Sequence, residues 1–189
     1  MSRKVVFLDR DGVINQDSPE YIKSWAEFTF LPGSLEAIKQ LTINGFEIIV
    51  ITNQSAVNRH LITKDELEYI HTLMKKAVET KGGKIDDIFF CPHTPEEFCS
   101  CRKPKAGLIY NAQKKYQIDL AISAMVGDSV KDIECARDAG CRYAILVKTG
   151  NGVKAEQILA KKAIKPDYVA RDLYDATNWI LRAQLVSKS

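Results

Sequence analysis

The chain has 189 residues, 27 Lys and Arg against 24 Asp and Glu, a net charge of +3 and a hydrophobic content of 46%. That length and apolar fraction give one domain, 1–189, with a sizeable core, and so mild a charge with no basic run gives no footing for nucleic acid. The five cysteines follow an N-terminus too short in apolar residues for an export signal, which speaks against a disulfide framework, and no run of about 18 apolar residues marks a membrane span.

VVFLD (5–9) is an apolar run ending in charge, a buried strand. Residues 14–32 are irregular, punctuated by Pro19 and Pro32. A helix is expected over 33–44, with Leu35, Ile38 and Leu41 at helical spacing and Gly45 at its stop. FEIIVIT (46–52) is the next buried strand. Thr63 and Glu66 form a capping-box pattern that opens a helix to about Thr80, and Gly82-Gly83 break the chain. A third strand, 85–90, leads into a cysteine cluster. Then follow a helix over 105–116, a strand over 121–127, a helix over 130–139 and a strand over 141–147. A helix over 153–163, a short strand at Tyr168 and Val169, and a helix over 173–185 complete the chain.

Strands alternating with helices predict an α/β fold: a Rossmann-like three-layer sandwich on a mostly parallel sheet. In such sheets ligands sit beyond the carboxyl ends of the strands. Asp9 and Asp11 follow the first strand, Thr52 ends the second, the cysteines follow the third and Asp128 follows the fourth.

In LDRDGV (8–13), two carboxylates two residues apart on extended backbone point the same way, and Gly12 lets the chain turn. The segment is also compatible with a plain strand-end turn. In GDSVKD (127–132), Asp132 lies one helical turn beyond Asp128, and Asp128 or Ser129 can equally cap the helix. Together these segments crowd carboxylates at one sheet edge, which calls for a cation, and all-oxygen ligands favour Mg²⁺. Thr52, Asn53, Gln54 and Ser55 are either loop polarity or donors to phosphate oxygens, and Lys103 offers a point charge for a phosphoryl group.

Taken in order, DRDGV, ITN, the Lys103 region and GDSVKD resemble the four motifs of the haloacid-dehalogenase-type phosphatases along nearly the whole sheet. The resemblance implies Asp9 as a nucleophile forming an aspartyl-phosphate and Asp11 as acid and base. It implies Thr52 and Lys103 on the phosphoryl oxygens, and Mg²⁺ on Asp9, the main-chain carbonyl of Asp11 and Asp128, with Asp132 as a further candidate ligand.

Residues 91–101, C-x-H-x5-C-x-C, gather Cys91, His93, Cys99 and Cys101. Three thiolates and an imidazole make a full tetrahedral Zn²⁺ shell with no open position, hence a structural site; the alternative is buried cysteines with a chance histidine. Cys101 stands two residues before Lys103, so fixing its sulfur fixes the loop that aims Arg102 and Lys103. Cys135 and Cys141 read as small core residues, and His60 and His71 are given no special role.

About forty residues separate Asp11 from Thr52, leaving no room for a lid domain; the site is expected to be capless and open. DRDG, TNQS and the CPH…CxCRKP loop make the chain similar to the bacterial D-glycero-D-manno-heptose 1,7-bisphosphate 7-phosphatases, and next to the histidinol-phosphate phosphatases. That likeness makes Arg102 a contact for the distal group and the Asn15–Tyr21 loop, with Asp17, and Asn53 to Ser55 contacts for sugar or phosphate. Ala56 and His60 stand where the family reads glycine, and Ala106 where proline is frequent. The expectation is a cytoplasmic, monomeric, Mg²⁺-dependent phosphomonoesterase with a structural zinc, acting on a small sugar bisphosphate in heptose supply for surface glycans. Histidinol phosphate or a nucleic-acid 3′-phosphate is the alternative substrate, and a zinc-stabilised binding module without activity the rival class.

Overall fold

The fold was analysed in a computed structural model that describes residues 3–186; residues 1, 2 and 187–189, the ends of the expected 1–189 domain, lie outside the described residues. The strands are β1 (Val5–Leu8), β2 (Glu47–Asn53), β3 (Asp87–Cys91), β4 (Ala124–Gly127), β5 (Tyr143–Val147) and β6 (Tyr168–Ala170). They form one sheet in the order β3-β2-β1-β4-β5-β6, with every pair parallel. The helices are α1 (Ser34–Ile43), α2 (Lys64–Thr80), α3 (Gly107–Tyr116), α4 (Val130–Ala139), α5 (Gly152–Lys161) and α6 (Leu173–Val186).

Alternation along the strands divides the interior in two. Val6, Leu8, Ile48, Val50 and Val126 face one side, where Ile38 and Leu41 of α1, Leu67 and Met74 of α2, and Ile180 of α6 pack. Val5, Phe7, Ile49, Ile51 and Met125 face the other, against Ile109 of α3, Ile133 of α4 and Leu159 of α5. Cys135 and Cys141 join this second core, as expected of small apolar residues. Each such fully buried aliphatic side chain contributes about 1.5–3 kcal/mol relative to exposure. This is the three-layer α/β sandwich that the alternating elements predict.

The strand order reverses at β1: the chain runs outward through β2 and β3, then returns to lay β4 on the other side of β1. Leu8 is in register with Val50 of β2 and with Val126 of β4. Asp9 therefore leaves the sheet beside Gly127, with Asp128 next to follow, at the switch point where ligands of such sheets sit. Only loops surround these strand ends. The β1–β2 connection holds α1 and the 14–32 segment, and the β2–β3 connection holds α2, so the fold is capless.

Strand starts move inward by up to three residues: β3 opens at Asp87 rather than 85 and β5 at Tyr143 rather than 141, and β4 shifts most. β4 begins at Ala124 rather than 121, because the Asp119 carboxylate accepts the Ala121 N–H at 3.0 Å and winds Leu120–Ile122 into a 3-10 turn. The irregular 14–32 segment is pinned by stacking of Trp25 on Phe28 (4.9 Å) and by Phe28 edge-on to Phe30 (5.0 Å). His60 does adopt the left-handed backbone that a glycine would favour, at φ 58°, whereas Ala56 is buried and does not. Among the described residues no helix is long and apolar enough to cross a membrane.

Candidate active site

A cleft of about 380 Å³ opens over the β1, β2 and β4 ends. Asp9, Asp11, Asp17, Thr52, Asn53, Gln54, Ser55, Arg102, Lys103 and Asp128 all line it. Asp132 lies beneath the cleft, fully buried at the start of α4. The sequence expectation that strand ends gather into one place is met.

Lys103 is the floor of the cleft. Its ammonium, 3% exposed, lies 2.9 Å from Asp9 Oδ1 and 2.6 Å from Asp132 Oδ1, and donates to the Ile51 carbonyl at 2.8 Å. Burial pulls its pKa down, but Asp132 and Asp9 overcome this and hold it above the ordinary lysine value. The ammonium is thus ringed by three oxygens, two of them in ion pairs, and a phosphoryl oxygen competes with Asp9 for it. Asp132 Oδ2 in turn accepts from Ser129 N (3.0 Å) and Ser129 Oγ (2.7 Å), and Ser129 is the α4 N-cap.

Around this lysine the site is short of positive charge. Asp9 accepts the Arg10 N–H at 2.7 Å. Burial, with repulsion from Asp132, Asp128 and Asp11, still lifts its pKa well above the carboxylate range against the pull of Lys103. That departs from the ordinary value of about 4 expected for a free carboxylate. Asp128 is pushed up to about 7 by burial and by Asp132, against the Asn151 N–H that donates to its Oδ2 at 2.7 Å. Oxygens of Asp9, Asp128 and Asp132 lie within 4.8 Å of one another. A hard divalent cation relieves that crowding, so the donor set fits Mg²⁺. Asp132 is the least suited of the three, since its Oδ2 takes two hydrogen bonds from Ser129 and its Oδ1 is in an ion pair with Lys103. The niche is narrow: a Cβ on Gly12 (φ 79°) or on Gly150 (φ 56°) would fall 2.2 Å from Asp128 Oδ2.

Asp11 behaves in the opposite way. Burial alone would raise its pKa, but Arg10, Asn15 and Gln54 lower it. Arg10 Nε donates to Oδ1 at 3.1 Å, and Nη2 to Oδ1 and Oδ2 at 2.9 and 3.0 Å; Asn15 Nδ2 and Gln54 Nε2 add contacts of 2.9 and 2.8 Å. The guanidinium folded back from the adjacent residue, with the two amides, outweighs the burial.

The two amides serve the scaffold as well as lining the cleft. Asn53 Oδ1 accepts the Lys103 N–H (3.1 Å) and its Nδ2 donates to the Lys103 carbonyl (3.2 Å), clamping that loop to β2. Gln54 Nε2 bridges Asp11 and Thr52 Oγ1 (2.9 Å). Asp17 Oδ2 accepts from Asn151 Nδ2 at 3.0 Å. Sequence reasoning missed Asn151, Lys131, Arg10 and His71. The strand-end rule, extended to the turn after β5, would have found Asn151.

Cys91, His93, Cys99 and Cys101 converge. Their sulfur–sulfur separations are 3.3–3.6 Å, and His93 Nδ1 lies 3.5 and 3.4 Å from the Cys91 and Cys101 sulfurs. A tetrahedron with Zn–S bonds of ~2.3 Å has edges of ~3.8 Å, so the four donors fit zinc with little adjustment. The Arg102 N–H donates to Cys99 Sγ at 3.4 Å and Arg102 Nη1 to the His93 carbonyl at 3.0 Å, which ties the loop to Arg102. Asn58 holds Glu97 at 2.9 Å, joining the loop after β2 to this one.

Residues 100–176 match the family described as HAD-hydrolase-like. The chain is 46% identical over 151 residues to the D-glycero-beta-D-manno-heptose-1,7-bisphosphate 7-phosphatase of Bordetella bronchiseptica, covering 80% of this chain and 84% of that one. It is 42% identical over 170 residues to the enzyme of that name from Pseudomonas putida, covering 90% and 95%. The crystal structure of D,D-heptose 1,7-bisphosphate phosphatase from B. bronchiseptica, complexed with magnesium and phosphate, superposes with a TM-score of 0.89 at 41% identity, over 95% of this chain and 99% of that one.

Proposed function

The chain belongs to the D-glycero-β-D-manno-heptose-1,7-bisphosphate 7-phosphatases, a family of HAD-like hydrolases, and from that premise we propose that it removes the 7-phosphate of this sugar bisphosphate with Mg²⁺ and an Asp9-phosphate intermediate. The observation that carries the reading is Lys103, buried under the cleft 2.9 Å from Asp9 and backed by Asp132.

Asp9, Asp128 and the Asp11 carbonyl would hold Mg²⁺, which supplies positive charge against the phosphate. An Asp9 oxygen attacks phosphorus. The bond to the sugar oxygen breaks, its electron pair stays on that oxygen, and Asp11 donates the proton. Asp11 then takes a proton from the water that releases phosphate from Asp9. Thr52, whose hydroxyl already accepts from Gln54, is left to donate to a phosphoryl oxygen, and Lys103 stabilises charge there.

A second phosphate suits the rim. Arg102 and Lys131 line the cleft, and neither makes an ion pair among the described residues. Two such cations attract an anionic distal group and repel the ammonium of histidinol phosphate. The zinc site is structural in this reading, and the enzyme works in the cytoplasmic supply of heptose for lipopolysaccharide. Side-by-side kcat/KM values for heptose bisphosphate, fructose bisphosphate and histidinol phosphate test it. Heptose bisphosphate should lead; preference for histidinol phosphate overturns the substrate, and no turnover of any phosphomonoester overturns the chemistry.

A further inference from the structure

Arg10 stands between the two site aspartates, yet its side chain is fully buried. Burying a guanidinium is costly unless it is paired, and such pairs add little net stability. Its donors divide cleanly. Nε and Nη2 form a side-on fork on the Asp11 carboxylate, and Nη1 points away to His71 Nε2 at 3.2 Å. Arginine has no acceptor, so His71 Nε2 must accept, which places the ring proton on Nδ1 and leaves the imidazole neutral.

The histidine comes from the inner face of α2, far along the chain, and packs edge-on against Phe90 with ring centroids 5.9 Å apart. It is 6% exposed and does not line the cleft. Burial and the Arg10 charge push its pKa to about 3, consistent with a permanent acceptor. The Asp11 side chain is 21% exposed at the cleft wall, and Asn15 and Gln54 give it one amide contact each. The fork is the only two-point grip on it among the described residues.

We propose that Arg10, propped by His71, is a positioning residue that fixes the orientation in which Asp11 meets the leaving-group oxygen. This rests on Asp11 being the acid of the proposed reaction. A carboxylate that can rotate freely delivers its proton in few encounters, and acid catalysis of this kind is worth about 10²–10⁴-fold. The effect is confined to leaving groups that need a proton. An alkoxide needs one; 2,4-dinitrophenolate does not.

The test is kcat/KM of the Mg²⁺-saturated enzyme on heptose bisphosphate and on 2,4-dinitrophenyl phosphate, for Arg10→Met, His71→Leu, His71→Gln and Asp11→Asn. Arg10→Met and His71→Leu should lose roughly tenfold or more on the sugar phosphate and less than about threefold on the aryl ester. His71→Gln, whose amide oxygen can accept from Arg10, should restore most of the loss. Equal losses on both substrates, no loss on the sugar phosphate, or a gain overturns the proposal. If Arg10→Met does not fold, the His71 pair decides alone. Asp11→Asn separates the two claims. A selective loss there upholds the acid and leaves only the Arg10 role at stake, whereas full activity on the sugar phosphate removes the acid assignment itself.

Discussion

Lys103 Nζ lies 2.6 Å from Asp132 Oδ1, and both side chains are essentially out of contact with solvent. Asp132 thereby holds the ammonium under Asp9 while its other oxygen caps α4. Breaking a buried pair by removing one charge costs about 3–5 kcal/mol. Asp132→Asn should lower the unfolding free energy read from urea titration by that order and reduce kcat, with KM little changed. A variant with wild-type stability and turnover would show that Lys103 needs no such anchor.

Asp9→Asn removes the attacking oxygen while keeping the side chain's shape. Phosphate release in the presence of Mg²⁺ should fall to background, because an amide in place of the carboxylate is too weak a nucleophile to form the phosphoryl intermediate. Persistent turnover would move the nucleophile elsewhere.

In the proposed reading, the loop of Cys91, His93, Cys99 and Cys101 holds zinc and reaches the chemistry through Arg102 and Lys103. Cys99→Ser should empty the site, as read by metal analysis, and lower kcat roughly tenfold or more, the usual scale for lost supporting contacts. Mg²⁺ affinity should change less, since Asp9 and Asp128 stand on other strands. A folded, zinc-free variant with unchanged turnover would disconnect the two centres.

His71 also makes stability depend on pH. Its folded pKa of about 3 lies below the ordinary value of 6.5. Between those values the unfolded chain binds a proton that the folded chain does not, so stability is full above about 6.5 and falls as pH drops toward 3, by up to about 1.4 kcal/mol per unit. His71→Gln should flatten that part of the curve in urea titrations at pH 7.5 and 5.5. Arg10 and Asp11 face the ring in both cases. An unchanged slope would place the acid sensitivity elsewhere.

His60 sits at φ 58° with an exposed side chain. A non-glycine residue there carries about 1 kcal/mol or more of strain. His60→Gly should therefore raise the melting temperature by a few degrees without altering kcat. A lower melting temperature would mean that the imidazole makes up for its backbone.

The elements were legible because their periodicities were clean. VVFL and FEIIVIT read as buried strands and are, and Thr63 with Glu66 opens α2 through the capping box that the spacing predicts. The gathering of the carboxylates was legible because strand ends converge in a parallel sheet, and that of the four Cys and His donors from their spacing in 91–101. Arg10 and His71 were not, because their partnership joins β1 to the inner face of α2, and a histidine within a helix gives no local sign of what lies opposite. The lowered Asp11 pKa was not legible for the same reason: it depends on the Arg10 guanidinium folded back onto its neighbour.

Asn53 and Gln54 face inward to bind Lys103, Thr52 and Asp11, whereas among the described residues Arg102 and Lys131 make no ion pair. The bond-breaking apparatus is thus wired to itself, and recognition is delegated to the periphery. Lineages can retune which sugar is welcomed by exchanging peripheral loops, leaving the hydrolytic engine beneath them unaltered.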